Sequence, residues 1–72
     1  MRKVKKIKIK INGKIKMISD KSKLSDLLIF LKIPLKKVAI ELNQEIVDKK
    51  SLNRLYLKNN DKIEIVHFIG GG

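Results

Sequence analysis

The first part of the chain alternates between isoleucine and lysine, which predicts a β-hairpin. From Ile7 to Ile11 the isoleucines fall on one side of an extended chain and the lysines on the other. The alternation resumes after Asn12-Gly13, a pair typical of hairpin turns. Pairing Ile9 with Ile15 keeps the isoleucines on one face, and it requires a three-residue turn. We therefore expect a turn over Ile11-Asn12-Gly13, with Gly13 in the left-handed conformation.

One helix is predicted after the hairpin, because leucines recur there with helical spacing. Ser22 is the expected N-cap, since its hydroxyl can accept a hydrogen bond from the first turn. Pro34 predicts that the helix ends near Ile33. The leucines that form the apolar face are Leu24, Leu27, Leu28 and Leu31.

The second half of the chain predicts three more strands, joined by turns, and no second long helix. Together with the hairpin they indicate an α+β fold, in which a mixed sheet packs on one main helix. The predicted segments are a strand over 38–42, a turn at 43–44, a short return strand over 45–47, a helical turn or loop over 48–55, a turn over 58–61 and a last strand over 62–68. The predicted core residues are Ile7, Ile9, Ile15, Leu24, Leu27, Leu28, Leu31, Val38, Ile40, Ile63 and Ile65.

Composition narrows the chemistry that this chain can perform alone. With 72 residues, no cysteine and one histidine, we expect no disulfide, no metal site and no catalytic residues. The longest wholly apolar run is too short to span a membrane, and no apolar segment follows the basic start. We therefore expect neither a membrane anchor nor a signal peptide, and we expect a cytoplasmic protein.

The net charge of +11 is concentrated in the first half. Residues 1–37 contain thirteen basic side chains and two acidic ones, whereas residues 38–72 contain five of each. Two interpretations stay open. The lysines reflect a compositional bias, or they steer the chain toward an acidic protein surface.

The last residues form the candidate site. Gly70, Gly71 and Gly72 follow the apolar run that ends at Ile69, so we expect one domain over residues 1–69 and a flexible glycine tail over 70–72. A strand leading into such a tail would present an unhindered carboxylate on Gly72. In a chain with so little other chemistry, that carboxylate is the candidate reacting group.

Four stretches of this sequence resemble the ThiS family of sulfur carriers, which has the ubiquitin-like β-grasp fold. The most specific is the last, which runs from the turn before the final strand through Ile-Val-His-Phe-Ile to the glycines. The stretches are residues 11–14, 24–28, 38–47 and 61–72. The resemblance implies a sulfur carrier of thiamine thiazole formation, which is a protein substrate and not an enzyme.

The resemblance also implies roles for partners and for the tail. A ThiF-type enzyme, using ATP and magnesium that the carrier itself does not bind, would adenylate Gly72. A sulfur donor protein would convert the adenylate to a thiocarboxylate, and a ThiG-type thiazole synthase would receive the sulfur. Gly70 and Gly71 would thread into the partner, while His67, Phe68 and Ile69 would contact it; Phe68 can alternatively close the end of the core.

Three other functions share part of this pattern. The small subunit of molybdopterin synthase carries sulfur by the same tail chemistry, and ubiquitin-like modifiers form isopeptide bonds from the same kind of tail. A basic nucleic-acid-binding module is the alternative from another class. It fits the charge, but the aromatic residues expected of a stacking surface are few.

Overall fold

The computed structural model describes residues 5–68, which form a mixed five-stranded sheet with one α-helix on its inner face. The strand order is β2-β1-β5-β3-β4, with the last strand in the middle. The elements are β1 (Lys6–Ile11), β2 (Lys14–Ser19), α1 (Leu24–Phe30), a first 3₁₀ turn (Leu35–Lys37), β3 (Val38–Leu42), β4 (Glu45–Ile46), a second 3₁₀ turn (Lys49–Arg54) and β5 (Lys62–His67). The α+β prediction is confirmed.

The hydrophobic core lies between α1 and the inner face of the sheet. Each leucine of α1 that is fully buried there contributes about 1.5–3 kcal/mol relative to an exposed one. All the predicted core residues except Ile15 lie in the core or pack against it. The buried residues are Ile9, Leu24, Leu27, Leu28, Val38, Ile40, Leu52, Leu57, Ile63 and Ile65.

The predicted three-residue hairpin turn is wrong, because Ile11 pairs directly with Lys14. The loop is Asn12-Gly13, with φ angles of 48° and 84°. Positive φ at both positions is what a type I′ turn requires, and its twist matches that of the strands it joins.

The tighter turn shifts every partner of β2 by one residue. Ile9 pairs with Lys16 instead of Ile15, and Lys8 pairs with Met17. Ile15 is therefore 61% exposed on the outer face, and its assignment to the core is wrong. At this edge strand the inner position holds the half-buried Lys16, so an isoleucine there would have gained little from burial.

The N-cap of α1 is Lys23, so the prediction of Ser22 is also wrong. Ser22 takes part in extended pairing, because its carbonyl accepts a hydrogen bond from the Leu57 N–H at 2.8 Å. The chain thus stays extended one residue longer than expected. At the new start the Asp26 carboxylate accepts a hydrogen bond from the Lys23 N–H at 3.1 Å.

The helix ends at Phe30, three residues before the predicted end near Ile33, and the chain leaves it through a left-handed residue. Lys32 has a φ of 58°, and the Ile33 N–H donates to the Leu28 carbonyl at 3.0 Å. This six-to-one bond is that of a Schellman motif, in which lysine occupies the usual glycine position. The chain then turns toward β3 where expected.

Asn12 fastens the hairpin to the middle strand. Its side-chain oxygen accepts a hydrogen bond from the Ile65 N–H at 2.7 Å, and its side-chain nitrogen donates to the Ile65 carbonyl at 3.2 Å. The parallel pairing of β1 with β5 joins Lys10 to Lys62 and Ile11 to Ile63. The amide of Asn12 therefore continues the ladder after β1 has turned away.

Asn43 makes the corresponding contact on the other side of β5. It lies at a φ of 52° in the β3–β4 turn, and its side-chain oxygen accepts a hydrogen bond from the Lys62 N–H at 2.9 Å. Its side-chain nitrogen donates to the buried Asp61 carboxylate at 3.0 Å. That carboxylate also accepts a hydrogen bond from the Lys58 N–H at 2.8 Å, and this bond stabilises the turn before β5.

We predict that Asn12→Gly keeps the turn but lowers the free energy of unfolding by about 1–3 kcal/mol, because a part-buried backbone pair loses its partner. Glycine suits the positive φ at Asn12, so backbone strain adds nothing to that loss. Urea unfolding followed by circular dichroism measures the change. Gln44→Gly is the matched control, since Gln44 also has a positive φ, 73°, and is exposed. Equal stability of the two variants would refute the role of the Asn12 amide.

Candidate functional site at the end of β5

The candidate site begins where β5 delivers the chain to its last residues. β5 ends at His67, and the next residue is held by one more backbone bond, from the Phe68 N–H to the Lys37 carbonyl at 2.9 Å. Ile69, Gly70, Gly71 and Gly72, which the sequence assigns to the partner contact and the tail, lie outside the described residues. The predicted boundary between domain and tail lies there too.

Along β5, the backbone N–H and C=O groups of successive residues point alternately toward the two neighbouring strands, β1 and β3. The Asn12 N–H donates to the Ile63 carbonyl at 2.9 Å, so the backbone groups of odd-numbered residues point toward β1. Those of even-numbered residues point toward β3, as the bond from Phe68 to Lys37 shows. β3 accompanies β5 to its end, whereas β1 does not. The point from which the chain continues is therefore fixed by β3 alone.

Side chains along β5 change from buried to exposed as the chain approaches this end. Ile63 is 1% exposed and Ile65 8%, whereas Val66 is 51% and Phe68 53% exposed. His67 is exposed as well. The interpretation of Phe68 as a core residue is therefore wrong, and His67 and Phe68 both lie where a partner could reach them.

Cationic groups surround the exit. The Lys49 Nζ lies 5.5 Å from the centre of the Phe68 ring, within range of a cation–π contact. Lys36 and Lys37, both exposed, immediately precede β3 beside the same point. The last described residue therefore lies next to positive charge.

Val66 is an exposed apolar residue that the sequence-based site left out. It pairs with Ala39 across the outer face of the sheet. The exposure of Val66 could have been predicted from the alternation of β5. If Ile63 and Ile65 are buried, Val66 lies on the opposite face with Glu64. The exposed apolar surface near the exit thus consists of Val66 and Phe68 together.

The described residues contain no candidate metal site and no candidate membrane-spanning helix. Within residues 5–68 no three histidine, cysteine, aspartate or glutamate side chains come together in a group that could hold a metal ion. No helix in the same range is long and apolar enough to cross a membrane. What the arrangement does is present the end of β5 at a fixed point of the sheet.

Comparison with known proteins gives consistent matches. The sequence model of the ThiS family matches residues 8–72. The sulfur carrier protein ThiS of Bacillus subtilis is 40% identical over 65 residues, which cover 89% of this chain and 98% of that protein. A crystal structure of the thiamine biosynthesis protein ThiS from Geobacter metallireducens superposes with a TM-score of 0.80 at 28% identity, over 92% of this chain and all of that one.

A thiazole synthase of Paramagnetospirillum magneticum also contains a similar stretch. It is 42% identical over 66 residues, which cover 92% of this chain but only 20% of the synthase. The thiazole synthase of Magnetococcus marinus shows the same relation at 38% identity. Thiazole synthase and a sequence like this one therefore occur within single proteins.

We predict that the Phe68 amide exchanges its hydrogen with solvent at least about tenfold more slowly than the His67 amide. Phe68 donates to Lys37, whereas the His67 N–H points toward the side from which β1 has departed. Hydrogen–deuterium exchange followed by amide NMR measures both residues in one sample, with each rate corrected for its intrinsic value. Equally fast exchange at the two residues would show that the chain is already free before Phe68.

Proposed function

This chain belongs to the ThiS family and is a sulfur carrier protein of thiamine biosynthesis, and we propose that the sulfur is carried on the carbonyl carbon of Gly72. The observation that supports Gly72 is the placement of β5. The middle strand of the sheet runs directly into the last residues, and its final bond is the one from Phe68 to Lys37. The family match also continues to residue 72.

The carboxylate of Gly72 needs activation before it can accept sulfur, because a delocalised anion without a leaving group is a poor electrophile. Attack of the carboxylate oxygen on the α-phosphorus of ATP releases pyrophosphate and forms an acyl-adenylate. A sulfur nucleophile then displaces AMP and leaves a thiocarboxylate. ATP and magnesium belong to the activating partner in this proposal, and the chain supplies only the group that reacts.

The glycines suit the passage of the tail into an enclosed active site. A residue without a Cβ fits a narrow channel and adopts backbone angles that are closed to other residues. Gly70 and Gly71 therefore provide reach and threading, and Gly72 leaves its carbonyl open to attack from either side. The folded part of the chain provides a fixed starting point for this tail.

The proposed partners follow from the chemistry and from the relatives. A thiazole synthase of the ThiG type is supported by the two synthases that contain a similar stretch. Adenylation calls for a ThiF-type enzyme, and the sulfur calls for a donor protein. We further propose that the carrier acts in the cytoplasm, where ATP for the adenylation step is available.

The contact surface for these partners is proposed to include His67, Phe68 and Ile69. The first two are exposed at the point where β5 ends, and Val66 extends the apolar area on the outer face of the sheet. An exposed aromatic residue close to the proposed reactive end is a suitable anchor, because aromatic residues dominate the binding energy of many interfaces.

We predict that Gly72→Ala lowers ATP–pyrophosphate exchange with the ThiF-type enzyme by about 100-fold, because a small displacement of the reacting group costs that much. One alanine added after Gly72 should have the same effect. One alanine added at the amino end is the matched control, and it should leave exchange unchanged. Circular dichroism checks that the fold is retained. Normal exchange in both tail variants would exclude Gly72 as the activated residue.

A further inference from the structure

The outer edge of β2 offers unpaired backbone groups. β2 lies at one end of the strand order, with β1 as its one neighbour among the described residues. The Asp20 N–H donates to the Lys5 carbonyl at 3.0 Å, so even-numbered residues point toward β1. The N–H and C=O groups of Ile15 and Met17 therefore point away from the sheet. Such an edge is able to pair with another extended chain.

Two hollows lie beside this edge, in the seam between β2 and α1. One has a volume of about 390 Å³ and is lined by Ile18, Leu27 and Phe30 among others. The other has a volume of about 290 Å³ and is lined in part by Ile11 and Leu31. Lys16 borders both hollows. Their apolar walls can accept side chains from one face of an extended segment, in which alternate residues point the same way.

Phe30 lies beside this seam and is unusually exposed for an aromatic residue. It is 71% exposed at the end of α1, although core residues of the same helix are almost fully buried. The Lys16 Nζ lies 5.3 Å from the centre of its ring. An apolar side chain that packed on Phe30 would remove this ring from water, and an acidic side chain nearby could pair with Lys16.

Charge at the seam selects the kind of segment that fits. Lys6 and Lys16 line the larger hollow and Lys14 and Lys16 the smaller one, against the single acidic residue Asp26. The basic excess of residues 1–37 is thus present at the free edge itself. A second copy of this chain would bring its own lysines against these, so self-pairing is disfavoured. An acidic segment has the complementary charge.

We propose that the edge of β2 and the adjoining seam bind an extended, acidic segment of a partner protein, which adds a strand to the sheet. Backbone bonds to Ile15 and Met17 would supply affinity, and the two hollows would select apolar residues within the segment. β1 separates this edge from β5, so the segment and the tail could be engaged at the same time. The proposal does not depend on the chemistry of Gly72.

A peptide fits this surface better than a nucleic acid. The edge presents alternating donors and acceptors, which match a peptide backbone, whereas phosphates need donors alone. A stacking surface for bases would need neighbouring aromatic rings. The three aromatic residues of the chain lie in separate places, Phe30 on α1, Tyr56 after the second 3₁₀ turn and Phe68 after β5.

The test measures binding of a fluorescein-labelled peptide, DDVIVIDD, to the full chain by fluorescence anisotropy. We expect it to bind at least about tenfold more tightly than KKVIVIKK, which reverses the charge, or DDVPVPDD, which cannot form a strand. Amide NMR should place the shifts on β2 and α1. Equal binding of the three peptides, or shifts confined to other elements, would overturn the proposal.

Matched variants test the edge itself. Met17→Pro removes an outward N–H and should weaken the binding of DDVIVIDD by about tenfold. This corresponds to the loss of one good hydrogen bond. Ile46→Pro is the control, because Ile46 lies on β4 at the opposite edge of the sheet and is 76% exposed. Circular dichroism checks both folds. Equal affinity of the two variants would show that β2 is not the docking strand.

Side-chain variants keep the test decisive if Met17→Pro does not fold. Phe30→Ala should weaken the binding of DDVIVIDD, whereas Tyr56→Ala should not. Tyr56 is similarly exposed but lies outside both hollows. Lys14→Glu combined with Lys16→Glu should abolish binding, and Lys36→Glu combined with Lys50→Glu should retain most of it. Tighter binding of oligothymidylate than of DDVIVIDD, lost in the first lysine pair, would overturn the proposal in favour of a nucleic acid.

Discussion

Two asparagine side chains hold the middle strand in place before β3 carries it to its end. Asn12 bonds to both backbone groups of Ile65, while Asn43 bonds to the Lys62 N–H and to the buried Asp61 carboxylate. Both residues lie in two-residue turns at positive φ, a conformation that asparagine tolerates better than most residues. Each side chain therefore serves its own turn and β5 together. Without the Asn12 amide, the pairing of β5 with β1 would end at Ile63.

Under the proposed function, the described fold supports a reaction that takes place beyond it, at Gly72. The core beneath the sheet is small, because a chain of 72 residues buries a modest share of its surface. It supports β5, and β3 carries β5 out to the bond between Phe68 and Lys37. The exposed residues at that end, His67 and Phe68, belong to no catalytic group. A carrier whose chemistry is supplied by other proteins needs this separation of fold and reaction, since its reactive group must leave the fold to enter theirs.

Most of the fold was predictable from alternation, helical spacing and turn residues, whereas the predicted tail site at Gly72 lies outside the described residues. The errors occurred where one residue serves two purposes. Asn12-Gly13 was read as part of a three-residue turn because matching isoleucines across the hairpin favoured it. The twist of the tighter turn and the bonds of Asn12 to β5 outweigh that match. The prediction of Ser22 as the N-cap fails because its extended pairing with Leu57, distant in sequence, leaves no local trace.

The proposed role of Gly72 is to carry sulfur at the end of the folded part of this chain. The most direct test is the intact mass of the protein purified from its own cells without reducing or alkylating agents, followed by fragmentation of its last residues. The account predicts a fraction whose mass is raised by the difference between one sulfur and one oxygen atom, with the change located on Gly72. An unmodified Gly72 in cells that are actively making thiamine, or a sulfur located on any other residue, would contradict it.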